Sequence, residues 1–332
     1  VSGGLIADAL RYGFAVGRIR VLETRLVPPS TYERLIDARS LAEQCRILTE
    51  TPYGDYLETA RSAEDVERGL DAALTDLYTS FLGQANLPAS FMAFFLVRRQ
   101  FEDLKARLKA EALGREPAGR ATDPGGVAAW ASSGRSGLLT QRVRRAERAI
   151  RTALARDDGT LPAEEIEDAV DRELYRELAA IARDADVAFM SEIVELEVDI
   201  ANLRVFIRGR RRDAAVGDVR ARLLPGGRIP IPSLAVAYRL PLLDAVARLS
   251  ARRRLPGVGP EVLTDPARFD LAAARLVSQR ARAGLRTATG PEPVVGYILE
   301  REAEARALRA LLIGSLARLP LDRLRERFAD AA

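Results

Sequence analysis

No histidine occurs anywhere in the 332 residues. That removes imidazole general bases, Ser-His-Asp and Cys-His nucleophile systems, HExxH zinc sites and Glu-x-x-His di-iron sites. A single cysteine, Cys45, permits neither an internal disulfide nor a thiolate metal cluster. It lies in Leu41-Ala42-Glu43-Gln44-Cys45-Arg46-Ile47-Leu48, a pattern that predicts a small buried helix position and not a reactive thiol. One unpaired cysteine also fits a cytoplasmic setting. Aromatics make up only 6% of the chain, which disfavours strand-rich folds. The longest nearly apolar run, Ala89 to Val97, is far shorter than the ~20 residues a membrane span needs. The first residues show no basic patch followed by an apolar core, so no secretory signal is expected. A GxxxxGK[ST] loop is absent too; the nearest candidate, Gly257-Val258-Gly259-Pro260, carries a proline where phosphate-cradling N–H groups are needed. With no cofactor or metal motif either, an enzyme is disfavoured.

What is present is hydrophobic, charged and rich in helix formers: 48% hydrophobic and 30% charged residues, the profile of a core-forming chain. All but Lys105 and Lys109 of the 51 Lys and Arg are arginine, yet the formal net charge is only +4. Acids are interleaved with the arginines throughout, so no field of one sign points to nucleic acid.

The chain predicts successive helices. One runs from Leu5 to Val27 and stops before Pro28-Pro29. Ser30 or Thr31 caps a second, which runs on from Tyr32 to Thr49. Pro52 and Gly54 interrupt, and Ser62 opens another helix with acids in its first turn. After the turn at Asn86-Leu87-Pro88 comes a long helix stopping near Gly114, with Phe91, Phe94, Phe95 and Phe101 as core. Residues 114–137 are Gly-, Pro- and Ser-rich, read as a connection, with Trp130 inside it. Helices follow from Leu138 to Arg156 and from Pro162 or Ala163 to Ala182; Asp157-Asp158-Gly159 reads as the turn between them. Ser191–Arg212 is helical, with breaks beyond it at Pro225-Gly226-Gly227 and at Leu255–Pro266. The segment from Asp265 to Ala283 is helical again. The last long helix spans Val294–Leu316, and a short terminal helix reaches Phe328. The fold class is all-α.

On a helical wheel the Ser191–Arg212 stretch has two apolar stripes, with Glu192, Glu195, Asp199 and Asn202 between them. Two stripes demand two packing partners. Asp199 and Asn202 are therefore assigned to an internal polar network, because a buried acid must be paired. The run Arg208, Arg210, Arg211 and Arg212 at the helix end either faces an acidic partner or headgroup surface, or is solvated beside the helix dipole. A repeat emerges from Leu104-Lys105, Leu203-Arg204 and Leu308-Arg309, spaced about one hundred residues apart. Glu304 takes the place of Asp199, and Arg309 that of Arg204. Gly209 and Gly314 follow the last two at the same distance, read as left-handed caps. Three similar helical units result, near residues 1–118, 119–225 and 226–332, packing as one body.

In this order the motifs resemble the C-subunit family of V-type and A-type ATPases, related to the d subunit of eukaryotic V-ATPases. LTETPYGDYL is similar to the family's Thr-x-Tyr segment, and FFLVRRQFEDLKARLKA to its aromatic-to-Leu-Lys helix. VDIANLRVFIRGR and LLPGGRIP resemble its Asp-x-x-Asn-Leu-Arg helix and Gly-Gly turn. PEPVVGYILEREAEARALRALLIGSLARLPLDRLRERF resembles its C-terminal helix. The resemblance implies a funnel-like body of three pseudo-threefold units, without nucleotide, cofactor or small-molecule substrate. It implies one copy per motor, on the cytoplasmic face of the membrane, as a peripheral rotor subunit. Its partners would be the D- and F-type shaft subunits and the proteolipid ring, linking ATP turnover to proton or sodium transport. A generic helical adaptor is the alternative; it shares the composition but has no reason to show these motifs in order.

Overall fold

The computed structural model describes residues 2–82, 87–115, 137–156, 161–250 and 259–319. All regular structure among them is helical, as composition requires. Trp130, the Asp157-Asp158-Gly159 turn, most of the Gly-rich connection and the terminal helix lie outside the described residues. The described residues form two compact units, one of residues up to 87 and from 278 onward, the other of those between.

The first unit contains α1 (Ser2–Leu22), a 3-10 turn (Glu23–Arg25), α2 (Pro29–Asp37), α3 (Leu41–Leu48), α4 (Gly54–Leu57) and α5 (Ala63–Asp76), the last continuing into a π-helical turn at Leu77–Leu82. The C-terminal helix α15 (Glu292–Leu316) completes it. Leu308, Leu311 and Leu312 of α15 sit in one core with Leu35, Leu48, Tyr53, Leu57, Val66 and Leu70. Burial of such side chains contributes roughly 1.5–3 kcal/mol each. Ends of the chain far apart in sequence thus share one hydrophobic centre.

The second unit starts with α6 (Ala89–Ala112), α7 (Gly137–Leu154) and α8 (Ala163–Ala185). After α9 (Ala188–Arg211) come the short helices α10 (Val216–Arg222), α11 (Ile231–Arg239), α12 (Leu242–Ser250) and α13 (Pro260–Thr264), then α14 (Pro266–Leu285), whose residues from 278 onward belong to the first unit. Phe91, Phe94, Phe95 and Phe101 are all buried, with Phe94 and Phe95 packed edge to face. Leu203, Phe206 and Ile207 of α9 form a core with Leu223, Ile229, Leu234 and Phe269.

Three local expectations change. Tyr32 to Thr49 is not one helix: Ser40 adopts an extended backbone, and its hydroxyl accepts from the Glu43 N–H at 3.2 Å. The Glu43 carboxylate reaches back to the Arg39 N–H at 2.9 Å, so a Ser-x-x-Glu start signal divides the run into α2 and α3. Neither Ser30 nor Thr31 caps α2, whose first residue is Pro29; proline loses nothing there because that N–H has no helical partner. Gly209 is not the left-handed cap either. It lies inside α9 at a close approach, where an added Cβ would sit 2.6 Å from Val219 Cγ2.

Gly114, Asp213 and Arg318 are left-handed, and each lies two positions beyond the end of a long helix. The bonds at the three ends match. Arg115, Ala214 and Leu319 donate to Ala110, Gly209 and Gly314 at 2.9, 3.0 and 3.0 Å, and Gly114, Asp213 and Arg318 donate to Glu111, Arg210 and Ser315 at 3.0, 3.3 and 3.0 Å. α6, α9 and α15 therefore close with one and the same Schellman motif.

Close packing elsewhere sets a test. A Cβ on Gly69 in α5 would stand 2.4 Å from the Tyr56 carbonyl oxygen, whereas one on Gly17 in α1 would meet nothing within 4 Å. Gly69→Ala should cost about 1–3 kcal/mol, and Gly17→Ala should stabilise by up to ~1 kcal/mol. Urea unfolding of both variants checks the pair.

Candidate functional site

Asp199 and Asn202 stand one helical turn apart on α9 and are completely buried. Asn202 Nδ2 donates to the Leu224 carbonyl at 2.9 Å, and its Oδ1 accepts from the Leu224 N–H at 2.7 Å. Asp199 Oδ1 accepts from the Ile229 N–H at 2.9 Å and Oδ2 from the Arg228 N–H at 3.1 Å. Between these anchors the chain turns through Gly226, at φ +101°, and Gly227, where a Cβ would stand 2.2 Å from Asp199 Oδ1. Two side chains thus hold both limbs of the Pro225-Gly226-Gly227 turn, replacing the hydrogen bonds its backbone cannot make within a helix. Arg228 then reaches Glu195 at 3.0 Å on the surface.

Glu304 occupies the matching position on α15. Its Oε1 accepts from the Val27 N–H at 2.5 Å, and its Oε2 from the Tyr53 hydroxyl at 3.2 Å. Arg301 Nε lies 3.6 Å from Oε2, while its guanidinium covers the Tyr53 ring at 4.6 Å. In each unit the clamped N–H belongs to the residue just before a proline, Ile229-Pro230 ahead of α11 and Val27-Pro28 ahead of α2. Ala307 stands where Asn202 does, so the α15 version lacks the amide. Burial pushes the Glu304 carboxyl up to about 7 against the pull of Arg301, and burial likewise raises Tyr53 well above an ordinary phenol. Nearby on α15, Glu300 accepts from the Ser278 hydroxyl at 2.6 Å and pairs with Arg282 at 3.0 Å. Glu302 accepts from the Tyr78 hydroxyl.

The basic residues of the repeat pair with acids. Lys105 meets Asp171 at 2.6 Å and Arg204 meets Asp270 at 2.8 Å, each partner 66 residues further along. Arg309 reaches Glu67 at 2.6 Å and Asp71 at 3.0 Å. Of the arginines closing α9, Arg208, Arg211 and Arg212 are exposed. Arg210 turns inward: its guanidinium covers the Phe206 ring at 5.1 Å and donates to the carbonyls of Ala237, at 3.2 Å, Tyr238, at 3.0 Å, and Leu240. It therefore satisfies the last carbonyls of α11.

Sequence reasoning missed Val27, Tyr53 and Arg301 around Glu304, because those contacts span the whole chain. It also missed the acids Asp71, Asp171 and Asp270, although a signal existed. AEDVERGLD (Ala63–Asp71) and AEEIEDAVD (Ala163–Asp171) are one pattern in one register, about a hundred residues apart. Among the described residues no group of His, Cys, Asp and Glu is placed to hold a metal ion, and no helix is long and apolar enough to cross a membrane. The hydrogen bonds of Asp199, Asn202 and Glu304 go to backbone and to Tyr53.

Asn202→Ala leaves the buried Leu224 N–H and carbonyl without partners and should cost about 1–3 kcal/mol. Lys105→Ala, at a half-exposed ion pair, should cost less than about 1 kcal/mol. Urea titrations of the two variants separate buried from exposed polar contacts.

The profile of the ATP synthase (C/AC39) subunit family matches residues 15–327. The C subunit of the A-type ATP synthase of Thermococcus kodakarensis is 24% identical over 320 residues, covering 91% of this chain and 86% of that protein. The C subunit of the V-type ATP synthase of Thermus thermophilus is 25% identical over 336 residues, covering 95% and 97%. A shorter stretch of 78 residues is 35% identical to the C subunit of the A-type ATP synthase of Methanocaldococcus jannaschii, covering 22% of this chain and 20% of that one.

Proposed function

The chain belongs to the ATP synthase (C/AC39) subunit family, and we infer that it serves as a non-catalytic central-stalk component of a V/A-type rotary ATPase. In this reading it joins the D- and F-type shaft subunits to the membrane proteolipid ring, at the cytoplasmic face, and so links ATP turnover to ion movement. The observation that carries the reading is the family match over nearly the whole chain, together with relatives covered almost end to end. Complexes of this kind transport ions and make or use ATP; the part played by this chain is mechanical.

A part that transmits torque must be stiff, and the buried clamps supply stiffness. Each ties a turn's backbone to a long helix through bonds that water cannot reach. The repetition supports three units in a pseudo-threefold, funnel-like arrangement. Its signs are three Schellman ends, three buried leucines at Leu104, Leu203 and Leu308, and three basic residues paired with acids. α6 packs chiefly on α8, α9 on α8 as well as on α10 and α11, and α15 on α5 and α1 at the chain's start. Asp199, Asn202 and Glu304 brace these units from within, and Arg204 and Arg309 do so nearer the surface. Arg208, Arg211 and Arg212 are the part of the α9 terminus left to meet an acidic partner surface, while Arg210 is occupied internally.

In membranes lacking this protein, ATP hydrolysis should persist in the detached catalytic head while ATP-driven ion pumping falls to background. Unchanged pumping would overturn the reading. Affinity purification from membranes should recover the shaft subunits and the proteolipid together with the tagged chain. Replacing Arg208, Arg211 and Arg212 together with Glu should weaken that recovery and leave the melting temperature of the isolated chain within a few degrees.

A further inference from the structure

One phenolic hydrogen in the first unit faces two acceptors. Tyr53 Oη lies 3.1 Å from the Arg301 carbonyl and 3.2 Å from Glu304 Oε2, both distances for a hydrogen bond. A phenol carries one hydrogen, so it serves one of these acceptors at a time. Glu304 Oε1 is already occupied by the Val27 N–H. The Arg301 Nε, at 3.6 Å from Oε2, is beyond hydrogen-bonding reach. With an ionised Glu304, one of the two contacts to Tyr53 has no hydrogen in it. A proton on Oε2 completes the set: Oε2–H donates to Tyr53 Oη, and the Tyr53 hydroxyl donates to the Arg301 carbonyl.

We propose that Glu304 is a proton-binding site, which takes up a proton at Oε2 to close the chain Glu304–Tyr53–Arg301 and thereby controls how firmly α15 holds the Val27–Pro28 turn. The matching clamp on α9 has no such need. Both oxygens of Asp199 accept from backbone N–H groups, and Asn202 adds two further bonds. With Ala307 in place of that amide, the carboxyl of α15 holds its turn alone.

The surroundings favour the neutral acid. Burial is the main cause that raises the Glu304 carboxyl, from 4.5 to about 7, and the nearby Glu300 on α15 raises it further; Arg301, the Val27 N–H and Tyr53 pull the other way. The other ionisable groups near this cluster are Tyr297 on α15, Tyr32 on α2 and Arg282 on α14. Arg282 is engaged with Glu300 at 3.0 Å, and Tyr32 is raised by its own burial and by Glu304. A carboxyl with a raised folded-state value contributes stability that is fully present below its unfolded value, near 4.5, and lost as pH rises through about 7. Ionisation strengthens the bond from the Val27 N–H, which favours the charged form, and removes the hydrogen by which Glu304 donates to Tyr53.

The test is an NMR pH titration of the whole chain labelled with 15N, following the Val27 amide between about pH 5 and about pH 9. The expected result is a single transition within about one unit of pH 7, absent in Glu304→Gln. In that variant the Gln carbonyl still accepts from Val27 and its NH2 donates to Tyr53. If Glu304→Gln does not fold, the wild-type protein labelled with 13C at glutamate carboxyls decides the matter. A titration near neutrality assigned to the Glu304 carboxyl supports the site. A Val27 amide that stays fixed over this range, or no glutamate titrating above the ordinary carboxylate range, overturns it.

Discussion

A buried carboxylate that accepts a backbone N–H just ahead of a proline is the contact on which both units depend. Proline breaks a helix and leaves the preceding chain with polar groups that no helical partner satisfies. Buried without a partner, each would cost about 1–3 kcal/mol. Asp199 and Glu304 meet that need from long helices, at Ile229 and Val27 respectively. Once the turn is held, α11 and α2 leave it in a defined direction. Their apolar residues, Leu234 and Ala237 on one and Tyr32, Leu35 and Ile36 on the other, then enter the cores. A break in the helix thus becomes a corner of the fold.

The long helices carry this device in a common frame. α6, α9 and α15 end in the same Schellman motif, and each places a buried leucine and a basic residue at equal distances from that end. Their inner positions are apolar, and their flanking charges are half-exposed pairs worth little singly. Rigidity therefore comes from packing and from buried hydrogen bonds, with the ion pairs acting as register marks. Such a division suits the load-bearing role proposed for the chain.

The two clamps are alike in position and different in chemistry. Asp199 is saturated by N–H donors and assisted by Asn202, so its geometry is complete as it stands. Glu304 shares a tyrosine with a carbonyl and lies close to Glu300. Ala307 stands where Asn202 does, so the amide's two bonds to the turn have no counterpart on α15.

The sequence alone determined the helical class, the long helices, the helix start at Ser62 and the aromatic core of α6, because these rest on local periodicity and side-chain type. The acid and amide on α9 stood out for the same reason: they interrupt an apolar pattern at helical spacing. The division at Ser40 was also written locally, in Ser40 and Glu43, but helix propensity on either side masked it. Other features were decided only by tertiary structure. Arg210 looks like its exposed neighbours in the sequence, yet Phe206, Tyr238 and the end of α11 capture it. The left-handed caps fell on Asp213 and Arg318, since the Schellman hydrogen bonds place them and the glycine at 209 is needed for close approach to Val219. Tyr53 and Val27, which bond Glu304, lie 251 and 277 residues away from it. No periodicity reaches across such a distance; only the folding of the last long helix onto the first unit brings those atoms together.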